Sequence, residues 1–321
     1  MSSNWKFGSW RDWASLARLP NLPTVWSNIF TAWAIVCAYA NNLNLTFHFA
    51  LALLGGTLFY MAGTTLTDLL DIGFDRQYRP ERPIPSGRVS IWAVRAMLLA
   101  WLVVGVLALM LASMRWTTVR LDNQPKPMRY IFGQFEAMRW AILALWLCIG
   151  AYTWIHKRSA VLSAVTMGLC RVSLGVAVTI AANEKVWDAI PWMAALGINI
   201  MGISWLARGE SRAVAGGVAG PLILIACAPP LVALLSKSLW SDRLGWELAL
   251  AAWILAMGWL LQPLRVRRDG PARGMAVGRA LAMLPLLDAL FLVPICGRQW
   301  GLVPLGCLAV IFPLRRVASA T

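Results

Sequence analysis

Charge is scarce in this sequence. Asp, Glu, Lys and Arg together make up 13% of its 321 residues, against about 25% in a soluble domain. A soluble enzyme with an ordinary polar surface is thereby excluded. So is a disordered chain, which needs low hydropathy to stay unfolded. Acidic residues are scarcer than basic ones, 14 against 29, for a formal net charge of +15. Histidine is nearly absent, at two residues. The six cysteines (Cys37, Cys148, Cys170, Cys227, Cys296, Cys307) form no Cys-x-x-Cys pair and lie in or beside apolar stretches. Zinc binding is excluded on that count, and buried reduced thiols are the reading.

What is present is apolar: 59% of residues are hydrophobic, and 19 are Trp. A helix needs roughly 20 apolar residues to cross a bilayer. Runs of that kind fall near 25–40, 47–67, 90–113, 137–155, 159–182, 187–207, 216–235, 245–264 and 275–296, with a shorter one at 301–314. The expected fold is an all-α polytopic membrane bundle of nine, at most ten, transmembrane helices. A single domain over 21–316 follows a surface-lying segment, 1–20, whose Trp5, Phe7, Trp10, Trp13 and Leu16 recur at helical spacing. Cys37-Ala38-Tyr39-Ala40 has the small residues of a signal-cleavage site. The roughly 24 residues before the first apolar run far exceed an ordinary n-region, so that run reads as a retained span.

The basic residues sit mostly between apolar runs, which points to cytoplasmic loops, anionic lipid headgroups or an anionic substrate and not to nucleic acid. With the N-terminus in the cytoplasm and ten spans, about two thirds of Lys and Arg fall on the inner side. The 114–139 loop runs against this bias. The expected location is an integral, bacterial inner (plasma) membrane. The Trp residues read as interfacial belts.

One segment carries chemistry: Thr67-Asp68-Leu69-Leu70-Asp71-Ile72-Gly73-Phe74-Asp75-Arg76-Gln77-Tyr78-Arg79-Pro80-Glu81-Arg82-Pro83-Ile84-Pro85-Ser86-Gly87. Asp68, Asp71 and Asp75 sit at i, i+3 and i+7, so all three carboxylates are expected on one helix face. Three carboxylates at the end of a membrane helix repel one another and are costly to desolvate. Mg²⁺ shared with substrate phosphates compensates them well, and the Arg-rich, proline-stiffened stretch that follows suits the same phosphates. The alternative is a solvated acidic helix end paired with Arg76 and Arg79.

D-x-x-D-x-x-x-D followed by R-P-x-R-P-I-P-S-G resembles the first aspartate motif of the UbiA superfamily of intramembrane prenyltransferases. The resemblance extends over roughly 18–316. Asn21-Leu22-Pro23-Thr24-Val25-Trp26-Ser27-Asn28 is similar to the start of the first span in one branch. Tyr152, Lys157 and Arg158 resemble the family's Tyr…Lys/Arg element, and Met167-Gly168-Leu169-Cys170-Arg171 and Leu287-Asp288-Ala289 resemble that same branch. It implies a helical bundle of about nine spans, Mg²⁺ as cofactor, and transfer of an isoprenyl chain from a polyprenyl diphosphate to a lipophilic, typically aromatic, acceptor. The implied metal-binding and catalytic residues are Asp68, Asp71, Asp75 and Glu210. The implied diphosphate ligands are Arg79, Arg82, Lys157, Arg158, Arg208 and Arg212, and the implied substrate-cavity residues are Asn28, Tyr152, Arg171 and Asn199.

Two positions depart from the family. Thr67 stands where an Asn is usual. The second motif, D-x-x-x-D, is replaced by Ala207-Arg208-Gly209-Glu210-Ser211-Arg212, with one carboxylate between two arginines. This resembles the UbiA-like proteins of Ebo-type clusters. It leaves a second reading open: a non-catalytic membrane protein binding an isoprenoid or aromatic metabolite for export or assembly. The pattern of a CDP-alcohol phosphotransferase is absent. Asp288 and Arg171 within spans read as a structural pair or as substrate contacts. Asn199 reads also as a helix–helix hydrogen bond, His156 as an interface anchor, His48 as a loop residue, and Glu81 as a local charge balance.

Overall fold

The computed structural model of the chain describes residues 5–39, 47–114, 120–121, 124–125, 128–183, 186–208, 217–266 and 269–317. These residues are almost entirely helical. A short helix α1 (Trp10–Leu16) leads into α2 (Leu22–Tyr39) and α3 (Phe47–Leu70), and a second short helix α4 (Ile72–Tyr78) follows at once. Next come α5 (Ile91–Ser113), α6 (Met128–Ile155), α7 (Ala160–Asn183), α8 (Ile190–Arg208) and α9 (Ala219–Leu235). The chain continues through α10 (Arg243–Val266), α11 (Gly270–Ala282), α12 (Leu284–Cys296) and α13 (Leu302–Val317). A minimal antiparallel ladder pairs Arg120–Leu121 with Gln124–Pro125.

Among the described residues, seven helical stretches are long and apolar enough to cross a membrane: Phe47–Leu70, Ile91–Ser113, Gln134–Ile155, Ala160–Ala182, Val186–Arg208, Arg243–Val266 and Gly270–Cys296. The protein is an integral membrane protein. Nine or ten spans are expected from the sequence, and seven helices of the described residues reach spanning length; α2, α9 and α13 have 18, 17 and 16 residues. The run expected over 275–296 is two helices meeting at Met283. Pro285 in the first turn of α12 has no N–H to continue the ladder, and the Met283 N–H closes α11 on the Arg279 and Ala280 carbonyls. The amphipathic N-terminal helix is shorter than its sequence spacing implies. Trp5 and Phe7 precede it and are exposed with Trp10, whereas Leu16 is turned into the protein.

α2 and α12 form the centre of the bundle. α2 packs on α7 and α12, α3 on α5, α7 on α6 and α8, α8 on α9, and α10 on α12. Small residues set the closest approaches, as expected where apolar lipid competes with apolar side chains. A Cβ at Gly168 would lie 2.6 Å from the Gly197 carbonyl of α8, and one at Gly55 would lie 2.7 Å from Leu109 of α5.

Proline inside a helix strips the carbonyl four residues earlier of its N–H partner. In hydrocarbon such an orphan costs several kcal/mol unless something replaces it. Pro229 and Pro230 orphan Ile225 and Ala226. The Asn199 amide of α8 donates to the Ile225 carbonyl at 3.1 Å, and the Trp253 indole of α10 donates to the Ala226 carbonyl at 3.0 Å. Pro263 orphans Trp259, and the Arg279 guanidinium of α11 donates to that carbonyl at 2.5 Å. Polar side chains of α8, α10 and α11 thus repair prolines in their neighbours and tie α8, α9, α10 and α11 together.

Asn199→Ala should therefore destabilise the protein by about 1–3 kcal/mol, the cost of a buried unsatisfied acceptor. In a Pro229→Ala background the new N–H serves the Ile225 carbonyl, and the cost of Asn199→Ala should shrink. Thermal unfolding in detergent of the two single variants and the double variant checks this. Equal costs in both backgrounds would refute the repair.

Candidate active site

The acidic segment does not lie on one helix. α3 ends at Leu70 and α4 starts at Ile72, with Asp71 between them at φ −90°, ψ 3°. This break separates the carboxylates that uninterrupted helical spacing would align. Asp68 and Asp75 converge on one arginine: Arg82 Nη1 lies 3.3 Å from Asp68 Oδ1 and 2.8 Å from Asp75 Oδ2. Asp71 instead faces α6. Its oxygens meet His156 Nε2 at 3.2 Å and Lys157 Nζ at 2.5 Å. The Thr67 hydroxyl is bonded to the Gly63 carbonyl of its own helix at 3.0 Å.

Arg82 is placed by the loop after α4. Pro83 and Pro85 stiffen it, the Ser86 and Gly87 amides close turns on the Arg82 and Ile84 carbonyls, and Gly87 takes φ +71°. Ile84 and Val89 of this loop are buried with Leu16, Ala93 and Val94. The N-terminal segment lies across it as a strap. Asp12 forms a capping box with Ser9 and an ion pair with Arg88 at 2.6 Å, and the Ser90 amide donates to the Lys6 carbonyl at 2.9 Å. Arg18, just past the end of α1, adopts the left-handed conformation (φ 48°, ψ 48°), the single non-Gly residue with positive φ among those described. A non-Gly residue held there costs about 1–3 kcal/mol and marks a position over-determined by its surroundings. The turn sends the Arg18 guanidinium to Asp68 at 3.4 Å. Ser15 and Leu16 of the strap line a small cavity with Asp68, Asp75, Arg82, Pro83, Ile84 and Pro85.

On the α6 side, burial raises the Asp71 carboxyl, but the hydrogen bonds and charges of His156 and Lys157 outweigh burial and hold it below the usual carboxylate range. The bond to Asp71 raises His156, against burial, above its ordinary value. Tyr152 stacks on the His156 ring, centroids 5.5 Å apart, and feels the charges of Arg18, Asp71 and Arg208. Arg208, at the end of α8, donates to the His156 carbonyl. Asp71, Tyr152, His156, Lys157 and Arg208 are thus gathered from α3–α4, α6 and α8. Arg158 stacks over Trp154 at 4.1 Å, and Arg79 is exposed at the end of α4. Glu210 and Arg212 lie outside the described residues.

A second polar cluster lies deeper. Asp288 of α12 is fully buried and accepts from Ser27 Oγ at 2.5 Å, Asn28 Nδ2 at 2.9 Å and Trp192 Nε1 at 2.8 Å. Arg171 of α7 donates to Asn28 Oδ1 at 3.0 Å and to Thr24 Oγ1 at 3.3 Å, and lies over the Tyr60 ring at 5.0 Å. Arg171 and Asp288 are therefore linked through the Asn28 amide. Asn199 lies elsewhere, on the Ile225 carbonyl.

Arg18 and His156 belong to this site, although the sequence does not single out Arg18 and reads His156 as an interface anchor. Arg18 precedes the first apolar run among other surface basics, and its left-handed turn has no sequence signal. His156 lies beside the Lys157-Arg158 pair, which draws the attention.

The convergence of Asp68 and Asp75 on one cationic nitrogen bears on metal binding. Two hard oxygens facing one positive centre are what Mg²⁺ takes from protein when phosphates complete its shell. Asp68 and Asp75 fit such an ion, and Asp71 stands apart from them. Among the described residues no three His, Cys, Asp or Glu side chains are grouped to hold a metal.

A family model described as the UbiA prenyltransferase family matches residues 27–276. The fold resembles a solved structure of digeranylgeranylglyceryl phosphate synthase, with TM-score 0.55 and 14% identity over 88% of this chain and 97% of that one. At that identity the likeness concerns the fold. No curated protein matches the chain.

The chain has two histidines, so both imidazoles can be followed by NMR. In Asp71→Asn, the His156 pKa should fall toward its ordinary value, about 6.5, and that of His48 should not move. The stabilisation from raising His156 is fully present below its unfolded value and lost as pH rises through its folded one. That from depressing Asp71 is present above its unfolded value, 3.8, and lost as pH falls through its folded one. Both contributions are fully present between the two unfolded values, 3.8 and 6.5. An unmoved His156 in Asp71→Asn would show that the pair does not form.

Proposed function

The chain belongs to the UbiA prenyltransferase family, and from that premise we propose that it moves an isoprenyl chain from a polyprenyl diphosphate to a lipophilic, aromatic acceptor inside the membrane. The observation that carries this is the set of cations at the ends of apolar helices: Arg18 and Arg82 meet Asp68 and Asp75, Lys157 meets Asp71, and Arg208 meets the neighbouring His156 carbonyl. A substrate with an anionic head and an apolar tail matches both halves of that arrangement.

Family members generally use Mg²⁺. Here Asp68 and Asp75 would hold it, with Asp71 and Glu210 as further candidates. When bound, the ion neutralises charge growing on the leaving diphosphate. The other steps fall to side chains of the chain itself. Arg18, Arg82, Lys157 and Arg208 bind the diphosphate oxygens and stabilise the charge that develops as the C1–O bond breaks with its electron pair. Arg79 and Arg158 extend the basic rim, and Arg212 is a further candidate for the diphosphate from the sequence. The apolar bundle keeps water from the electron-poor C1 until the acceptor bonds to it. In this reading the bundle has nine or ten spans in the bacterial inner membrane, and its N-terminus and site face the cytoplasm.

The single carboxylate of the 207–212 stretch favours a second reading, in which the site holds a prenyl diphosphate or related metabolite without turnover.

Thermal shift in detergent tests the donor site, because a ligand of the folded state raises apparent stability. Farnesyl or geranylgeranyl diphosphate with Mg²⁺ should raise the midpoint, and Arg82→Ala should weaken that binding by tenfold or more, roughly one charge-assisted contact. Arg82→Lys should recover part of it. No shift with either diphosphate would overturn the donor assignment. A shift without product from any acceptor, in protein whose Glu210→Ala variant retains cellular function, would favour the binding reading.

A further inference from the structure

The last part of the chain is unevenly charged. After Glu247 the sequence holds eight arginines against two acids, Asp269 and Asp288. Asp288 is sealed in the centre of the bundle, and Asp269 caps α11 by accepting from the Ala272 amide at 2.9 Å. Arg279 of α11 donates to the Trp259 carbonyl of α10 at 2.5 Å and to Gln262 Oε1 at 2.9 Å. Arg315 of α13 donates to the Gly278 carbonyl, next to Arg279, at 2.5 Å. Arg265 follows Gln262 by about one turn of α10, and Arg316 follows Arg315. Arg279 and Arg315 are half-buried, and the acceptors they meet are neutral. Among the described residues Arg265, Arg279, Arg315 and Arg316 form no ion pair. The buried Nε of Arg315 meets no acceptor among them.

A carbonyl takes a hydrogen bond from a guanidinium but supplies no opposite charge, and an uncompensated charge at an apolar helix is costly. Repair of the Pro263 break explains where one N–H of Arg279 goes. It does not explain why the position is charged, because the neutral Asn199 and Trp253 serve the Pro229 and Pro230 breaks equally well. The surface beside the two arginines is aromatic and apolar. Arg279 lies over the Trp259 ring at 4.9 Å, and the Trp259 and Phe312 rings are 6.2 Å apart. Leu255, Trp259 and Gln262, at i, i+4 and i+7, share one face of α10, and Leu308, Phe312 and Arg315 share one face of α13. In both helices that face passes from apolar to polar toward the C-terminal end. Leu255 and Phe312 are exposed. A ligand with an acyl chain and an anionic head matches this order, whereas a free anion uses only its basic end.

We propose that α10, α11 and α13 form a binding site for an anionic phospholipid. Its phosphate pairs with Arg279 and Arg315, Arg265 and Arg316 stand at the rim, and an acyl chain lies along Trp259 and Phe312. The lipid headgroup supplies the counter-charge that the described residues do not, at the edge of the bundle where headgroups reach. This surface shares no residue with the diphosphate site, so the inference stands whether or not the chain transfers a prenyl group.

The test uses full-length protein, delipidated in a nonionic detergent. It is titrated with phosphatidylglycerol, with phosphatidylcholine of the same acyl chains, and with inorganic phosphate. Phosphatidylglycerol should raise the unfolding midpoint and stay bound in native mass spectra. Phosphatidylcholine keeps the tails and loses the net charge, and should bind about tenfold more weakly or worse, the order of one charge-assisted contact. Arg315→Gln should bring phosphatidylglycerol down to the level of phosphatidylcholine. Arg95→Gln, which removes the same charge from an exposed position on α5, should leave the preference intact. Because the two lipids are compared in the unaltered protein, a folding defect in Arg315→Gln does not blunt the test. Equal binding of the two lipids, an undiminished preference in Arg315→Gln, or an equal loss in Arg95→Gln would each overturn the proposal. A shift from inorganic phosphate as large as that from phosphatidylglycerol at equal concentration would assign the arginines to a free anion and overturn the lipid.

Discussion

Low dielectric is the constraint on which this structure depends: within the membrane, every charge and every backbone carbonyl must be answered by another group of the protein. The answers are concrete. Prolines at 229, 230 and 263 leave carbonyls on Ile225, Ala226 and Trp259, and Asn199, Trp253 and Arg279 reach across to them. Asp288 is met by Ser27, Asn28 and Trp192, and Arg171 is joined to it through the Asn28 amide. Because lipid competes for apolar contact, the bundle is held by close packing, tightest at glycine, together with these polar ties.

The same constraint shapes the acidic site. Asp68 and Asp75 are largely withdrawn from water, and Arg82 stands between them. Removing one partner of such a pair leaves a buried charge uncompensated, at a cost of about 3–5 kcal/mol. Arg82, Arg18 and the stiff loop therefore form one unit with the two carboxylates. The break at Asp71 gives that residue a different role: it anchors the end of α6 through His156 and Lys157, and Arg208 joins it there from α8. Four helices are thereby brought to one basic and acidic rim.

The N-terminal strap packs against this rim. Its exposed Trp5, Phe7 and Trp10 suit a lipid interface, while Leu16 packs beneath the loop and Arg18 reaches Asp68. The left-handed backbone at Arg18 is the local strain that this reach requires, offset by the contacts of Ser9, Asp12 and Leu16 around it.

The amino-acid sequence by itself determined that this is an all-helical membrane protein, where its apolar segments lie, and that 67–87 concentrates carboxylates and arginines, because hydropathy and motif spacing are local properties of the chain. It pointed also to Arg171 and Asp288 as ionisable groups that need partners. Only the tertiary structure decided who those partners are. It placed Asn28 between them, parted Asp71 from Asp68 and Asp75, brought Arg18 and His156 into the site, and assigned Asn199 to a proline-freed carbonyl. Contacts between residues tens or hundreds of positions apart depend on how helices cross and where they break. A helical period cannot reveal a one-residue interruption such as that at Asp71, and no local pattern encodes which helix will lie beside which.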